Sequence, residues 1–394
     1  MTTNYYQTPT RPILYASYLL YQYANGALDT YGVPAGVALA EHPETFEDME
    51  VPAEPYSPIE MLRMLQLDPS KTSYIYDPEN RGHIMLTYKL VPDGFSWTDE
   101  LGVDIWKNIR AGLLLGHNFA TCNAGVEFGF GLTDDEDEFN TIVQIPTVNN
   151  VFAPEYDGWS NTGIQSLSGG AEGKYFKIRI RSQHYEEDFA QPFAEQPLKL
   201  GSLFLGSAYY FPHNANINTS MSYDYGIKRT KTIAGKTLSK ANWTKPNNWG
   251  NYEPFGLSVP HEEGFNPNNF LRRTGLRTWK ISFDSLGPDK LMNQNPMLNT
   301  YEFESQDTTN DNITDDGDSV DNIIGVHDQL NIGKDFFTSI IHRSMGGHLP
   351  MILQIDKDNN SPHSFAIVRL NPKYTITQKS PNLYNIKLTL EEQV

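Results

Sequence analysis

The stretch LLLGHNFATCNAG, Leu113 to Gly125, sets His117, Asn118 and Cys122 within six residues, and Cys122 is the only cysteine in the chain. Cysteine, histidine and asparagine are the side chains of one protease triad. Triad members, however, converge in space from distant parts of a sequence. A reactive thiol also needs a helix N-terminus or a neighbouring cation to lower its pKa. Here the residues flank a turn after an apolar run, and no helix start lies beside them. The better reading is a buried cysteine next to a polar turn, with Gly116, His117 and Asn118 serving architecture. No catalytic residue is assigned, and the chain is not expected to be an enzyme.

Other chemistries find no better footing. The ten histidines are scattered, without HxxxH or CxxC spacing, so no metal site and no cofactor is expected. The acidic loop Asp307 to Asp321 does not fit a calcium loop. With Gly317 at the sixth position, Asn312, Thr314 and Asp316 take ligand places. Ile323 then falls where a bidentate glutamate belongs. A solvated loop is the simpler account, and calcium would bind it only outside that template. SLSGGAEGKY has glycines and a lysine but not the order of a phosphate loop, and reads as a hairpin turn. Carboxylates abound, yet no pair stands out for glycoside hydrolysis. Trp159, Trp243 and Trp249 lie in polar, turn-rich sequence, where an exposed indole can stack on a sugar.

The elements that would position these residues are mainly strands. KYFKIRIRS alternates Phe176, Ile178 and Ile180 against Lys177, Arg179 and Arg181. GVEFGFGL, LKLGSLFLGSAYYFP and RTWKISF read as further strands, and four short ones close the chain. SPIEMLRMLQL reads as a helix with Ser57 as N-cap, Pro58 in its first turn and Glu60 completing a capping box. DFFTSIIHRSMGG reads as an amphipathic helix over 335–346, with Phe336, Phe337, Ile340, Ile341 and Met345 on one side and Gly346 as its stop. Strand, long loop, helix and antiparallel strands in that order suggest a sheet or barrel carrying one helix.

Four regions follow. Residues 1–25, rich in tyrosine, suggest an arm that packs on a neighbour or an edge strand. Residues 26–212 form a first β domain. Residues 213–270, rich in Asn, Pro and Gly with little periodicity, suggest a connector or a long loop ordered by a partner. Residues 271–394 form a second β domain. Within the connector, Lys228, Arg229, Lys231, Lys236, Lys240 and Lys245 occur with no acidic residue between them, in a chain of net charge −18. This local reversal of sign reads as a solvated face or as an assembly patch for an acidic neighbour. The overall acidity argues against nucleic acid as a partner. No apolar run approaches the ~20 residues of a membrane span. The start, MTTNYYQTPTRP, lacks the basic and apolar regions of a signal peptide, so synthesis and folding in a cytoplasm are expected.

Two sets of motifs resemble known families. WKNIRAGLLLGHNFATCNAGVEFGF, SGGAEGKYFKIRIRS and KLGSLFLGSAYYFP resemble the discoidin-like, galactose-binding-type β-sandwich of tailed-phage virion proteins. There an LGHN turn follows a core strand. RTWKISFDSL, FFTSIIHRSMGGHLPMILQID and SFAIVRLNPKYTITQKSPNLYNIKLTLEE resemble distal-tail and tail-tube proteins, whose barrel-like domains form rings. The resemblance implies a structural protein of a bacteriophage virion, in the tail tip, baseplate or tube-associated region. It further implies a homo-oligomeric ring of three- or six-fold symmetry, other tail proteins as partners, and synthesis in a bacterial host. The alternative implied by the first half is a glycan-binding module for host adsorption. A hydrolase of cell-wall or capsule sugars is a third reading.

Overall fold

The computed structural model describes residues 9, 11–25, 29–30, 38–40, 59–69, 71–77, 82–89, 109–133, 135, 138–144, 157–163, 175–182, 193, 197–241, 275–291 and 335–393. The molecule is mainly β. In chain order come β1 (Ile13–Ser17), helix α1 (Tyr18–Ala24), β2 (Asp29–Thr30), β3 (Ala38–Ala40), helix α2 (Ile59–Arg63), β4 (Ser73–Tyr76) and β5 (His83–Lys89). Then follow β6 (Ala111–Leu115), β7 (Ala124–Gly131), β8 (Asn140–Gln144), β9 (Trp159–Gly163), β10 (Tyr175–Ser182), β11 (Leu198–Leu200) and β12 (Ser202–Tyr210). The remainder holds β13 (Ser220–Asp224), β14 (Ile227–Lys231), β15 (Thr237–Ala241), β16 (Leu276–Leu286), a π-helix (Phe337–His342), β17 (Met351–Gln354), β18 (Phe365–Leu370), β19 (Thr375–Ser380) and β20 (Leu383–Glu392).

A ten-stranded open sheet runs β13-β16-β20-β18-β17-β1-β12-β6-β9, with β19 also on β20. Strands from both halves of the chain share it, and β1 is the joint. Its residues pair with Gly206–Tyr210 on one edge and with Ile352–Gln354 on the other. Residues 13–17 are therefore neither a free arm nor an edge strand. The reason is burial: all five side chains are covered, so both faces of β1 can lie in the interior. Alternation sends Leu14 and Ala16 to one face and Ile13 and Tyr15 to the other. Helix α1 follows at once, capped by Ser17, whose side chain accepts from the Leu20 amide at 3.1 Å.

The two faces of this sheet build three cores. Leu114, Leu203 and Leu205 face a five-stranded sheet, β2-β5-β10-β7-β8, which contributes Tyr88, Phe128, Phe176 and Ile178. That pair of layers is a sandwich within residues 26–212. On the same face, further along, Leu14, Tyr209 and Phe211 pack with Phe283, Phe336 and Leu388. The opposite face carries Leu113, Leu115, Tyr15, Phe204 and Phe365. The sheet curls about this face. Trp159 on β9 lies 4.5 Å, ring to ring, from Phe365 on β18, five places away in strand order. The expected sheet or barrel with a packed helix is thus an open, curled sheet.

Two further expectations change. The helix in segment 335–346 is a π-helix over Phe337–His342 only, and its buried side chains are not confined to one apolar stripe. Thr338, Ser339, Arg343 and Ser344 are covered as well as Phe336, Ile340 and Ile341. The π-helix ends at His342 with Arg343 as its C-cap, so Gly346 (φ +70°), expected as the stop, lies in the turns that follow. The region 213–270, read as lacking periodicity, holds β13, β14 and β15 in its described part. These strands show no apolar alternation because they bury almost nothing. Helix α2 forms where SPIEMLRMLQL predicts one, although Ser57 and Pro58 lie outside the described residues.

Candidate functional site

The GHN turn begins where β6 ends. Gly116 has φ +67°, and a Cβ there would stand 2.7 Å from the Pro69 carbonyl oxygen. Glycine is required on both counts. The Gly116 amide donates to Gly158 O at 2.8 Å, and the Gly158 amide to His117 O at 2.7 Å, so the turn is sewn to the start of β9. Asn118 reaches the other way. Its Oδ1 accepts from the Lys199 amide at 2.6 Å, and its Nδ2 donates to Pro197 O at 3.2 Å.

His117 is buried and stacks on Phe119, with ring centroids 4.9 Å apart. The Phe119 amide donates to Nδ1 at 3.4 Å, and Nε2 lies 2.9 Å from Ser160 Oγ. With Nδ1 accepting, the neutral ring carries its proton on Nε2 and donates to Ser160. A general base toward that serine would need the opposite arrangement. Burial holds the imidazole pKa down to about 4, against the opposing pull of Asp157 and a hydrogen bond to the Trp159 backbone. Asp157 itself accepts from the Thr121 amide at 3.1 Å and from the Thr121 hydroxyl. Cys122 is fully buried in the first core, away from solvent. The arrangement ties β6, β9 and β11 together. It offers neither an accessible nucleophile nor an activated one.

Trp159, expected as a sugar-stacking face, is 4% exposed and packed on Phe365. It cannot present a ring to a ligand. Its place in polar sequence misleads because the covering residues come from β18. Trp243, Trp249 and Lys245 lie outside the described residues, as does the acidic loop 307–321. Among the described residues, no group of three His, Cys, Asp or Glu side chains could hold a metal ion.

The basic residues lie on a projecting hairpin. Strands β14 and β15 pair only with each other, and every residue from Ile227 to Lys240 is exposed save Thr232, which is half-buried. Register places Lys228 directly opposite Lys240, and Thr230 opposite Leu238. The other face carries Ile227 opposite Ala241, Arg229 opposite Ser239 and Lys231 opposite Thr237. Cations therefore occupy both faces. The tip is a firm turn. The Gly235 amide donates to Thr232 O at 2.9 Å, and the Thr232 amide to Lys236 O at 2.8 Å. The left-handed position (φ +80°) falls on Gly235, as a three-residue hairpin loop demands. Ile233 stands at the apex, fully exposed. The hairpin, its apex and the Ser160 partner of His117 were not visible as such in the sequence. The TIAGK turn between two Thr- and Lys-rich runs was the one available signal.

No family model matches the chain, and no curated protein matches it. Among solved structures, the chain is similar to CBM32-1 from a family 31 glycoside hydrolase from Clostridium perfringens. Identity is 12%, the match covers 45% of this chain and 97% of that one, and the TM-score is 0.23.

Proposed function

We propose that this protein acts by assembly, as a structural component of a bacteriophage tail, in the tip, baseplate or tube-associated region. It is not a catalyst in this reading. The observation that carries it is the hairpin 227–241, a preformed arm that leaves the body and buries nothing against it. A lone two-stranded hairpin is marginal in water, so one with a built turn and exposed apolar groups is suited to a neighbour. Of the nine large hydrophobic side chains exposed among the described residues, three (Ile227, Ile233 and Leu238) fall on this arm and three more (Ile217, Tyr223 and Tyr225) on the ten residues before it. The motif resemblances of both halves supply the virion setting.

The test is direct. An antibody raised against the purified protein is applied to phage particles from the culture that carries the gene. Label on the tail in electron micrographs is the expected result. Particles that contain none of the protein, by label and by mass spectrometry, overturn the assignment.

A further inference from the structure

Three features of the hairpin 227–241 specify the neighbour it fits. The first is its apex. The loop residues Ile233, Ala234 and Gly235 are all exposed and carry no polar side chain, and Ile233 is fully in solvent. The second is a collar of cations behind that apex. Lys236 follows the loop directly, and Lys231 closes the other strand opposite Thr237. Arg229 and Lys231 lie on one face of the ribbon, Lys228 and Lys240 on the other, and no acidic residue interrupts them. Lys228 stands directly opposite Lys240, a like-charge pair that is destabilising until anions approach it. The third is the depth of the apolar groups. Leu238, also exposed, pairs with Thr230 and lies two residues past Lys236. At a strand rise of ~3.3 Å per residue, that is about 7 Å behind the loop.

A soluble polyanion would meet the cations and leave Ile233 and Leu238 in water. A duplex groove has phosphates on both sides, but its floor is made of hydrogen-bonding base edges that Ile233 and Ala234 cannot answer. A flat protein surface would cover one face of the ribbon and leave the cations of the other in solvent. An anionic bilayer entered tip first meets all three features. We propose that the hairpin 227–241 docks on an anionic lipid surface, with Ile233 and Leu238 in the interfacial layer and the cations of both faces among the headgroup charges. That layer is ~5–8 Å deep on each side of a bilayer, which matches the spacing from the loop to Leu238. Lys231 and Lys236 then sit at headgroup level, with Arg229, Lys228 and Lys240 successively above. Such a contact needs no membrane-spanning segment. Charges more than ~8–10 Å apart are largely screened at physiological salt, so the local sign of the arm, not the net −18, governs a tip-first approach. The proposal rests on the assembly reading for the arm having a neighbour, and it names one.

The experiment uses the full chain and vesicles of phosphatidylcholine, with and without about 30% phosphatidylserine, at about 50 mM and about 500 mM salt. Binding is read by co-sedimentation. Ala234→Cys keeps the apex isoleucine, and because Cys122 is buried it takes a thiol-reactive, polarity-sensitive fluorophore at the tip alone. The wild type is expected to bind the anionic vesicles at least about tenfold more tightly than the neutral ones, and high salt weakens the binding. The tip fluorophore shifts to the blue and is quenched by brominated acyl chains. Ile233→Ser, and Lys231→Glu with Lys236→Glu, each lower the binding by about tenfold or more, with unchanged circular dichroism. Absence of binding to the anionic vesicles overturns the proposal, and so does binding that both variants leave unchanged. Binding without the blue shift overturns tip-first insertion. A tip fluorophore that responds to duplex DNA or to polyglutamate as strongly as to the vesicles overturns the lipid assignment. The antibody labelling of particles is read separately. Label on tails with no vesicle binding keeps the assembly reading and removes the lipid contact. Vesicle binding by a protein absent from the particles does the reverse.

Discussion

At His117 a single buried imidazole sets a measurable pH dependence. Its folded pKa of about 4 lies below the ordinary 6.5. Between those values the unfolded chain binds a proton that the folded chain refuses. Stability is therefore fully present above about pH 6.5 and is lost as pH falls toward 4. The loss from this group is about 3 kcal/mol, since one pKa unit corresponds to about 1.4 kcal/mol. Urea unfolding at pH 7, 5.5 and 4.5 should show the decline. His117→Gln should flatten it over that window, whatever the variant costs at pH 7. An unchanged slope in the variant would remove His117 as its source. Gly116 makes a sharper demand, because both its φ and the nearby Pro69 oxygen exclude a side chain. Gly116→Ala is expected to cost about 2–5 kcal/mol, from left-handed strain plus overpacking, read as a shift of the unfolding midpoint at constant slope. The sequence showed that GHN was a turn. It did not show what the ring touches, because Ser160 is 43 residues away and nothing local points to it.

Among the elements, the strands whose physics is local were legible and those whose physics is not were missed. Strand β10 alternates because one face meets the first core. Lys177 on its other face is nevertheless buried, its ammonium donating to the carbonyls of Asp135 and Glu138. Arg179 and Arg181 there converge on Glu127 of β7, at 2.5 and 2.7 Å. Strand β1 read as an arm or an edge strand because an apolar run does not say whether one face or two will be covered. Strands β13 to β15 left no apolar pattern because nearly all of their side chains are exposed. Between β16 and β20 lies an interaction that no local pattern could show. Arg277 and Glu392 are both buried and joined at 2.5 Å, and the Arg277 amide also donates to the same carboxylate at 2.8 Å. Breaking such a pair from one side leaves an uncompensated charge. Arg277→Met should cost about 3–5 kcal/mol, and adding Glu392→Met should recover a large part of it. A double-mutant cycle by chemical denaturation measures this. Costs that simply add would mean that the pair is not coupled.

For the whole molecule, the consequence of β1 is cooperativity. Two halves joined only by a connector would unfold separately. Here a single sheet passes through both, and β1 forms its middle with partners from each side. Tyr15 extends the tie by donating from its hydroxyl to Gln354 Oε1 at 2.5 Å, while its ring meets Phe204 edge-on. Leu14 faces the core built largely from the C-terminal strands, and Leu203 faces the core of the N-terminal sandwich. Each, cut to alanine, should cost about 2–5 kcal/mol. If the sheet makes one cooperative unit, either substitution lowers the same calorimetric transition, and circular dichroism and tryptophan fluorescence move together. Two resolved transitions, with Leu14→Ala shifting one and Leu203→Ala the other, would show that the halves are energetically separate despite the shared sheet. A rigid, jointly folded body also bears on assembly. In the assembly reading, an arm such as 227–241 can hold a neighbour in place only if the sheet it leaves does not yield. Loss of joint unfolding would therefore weaken the mechanical side of the assembly reading as well as the account of the fold.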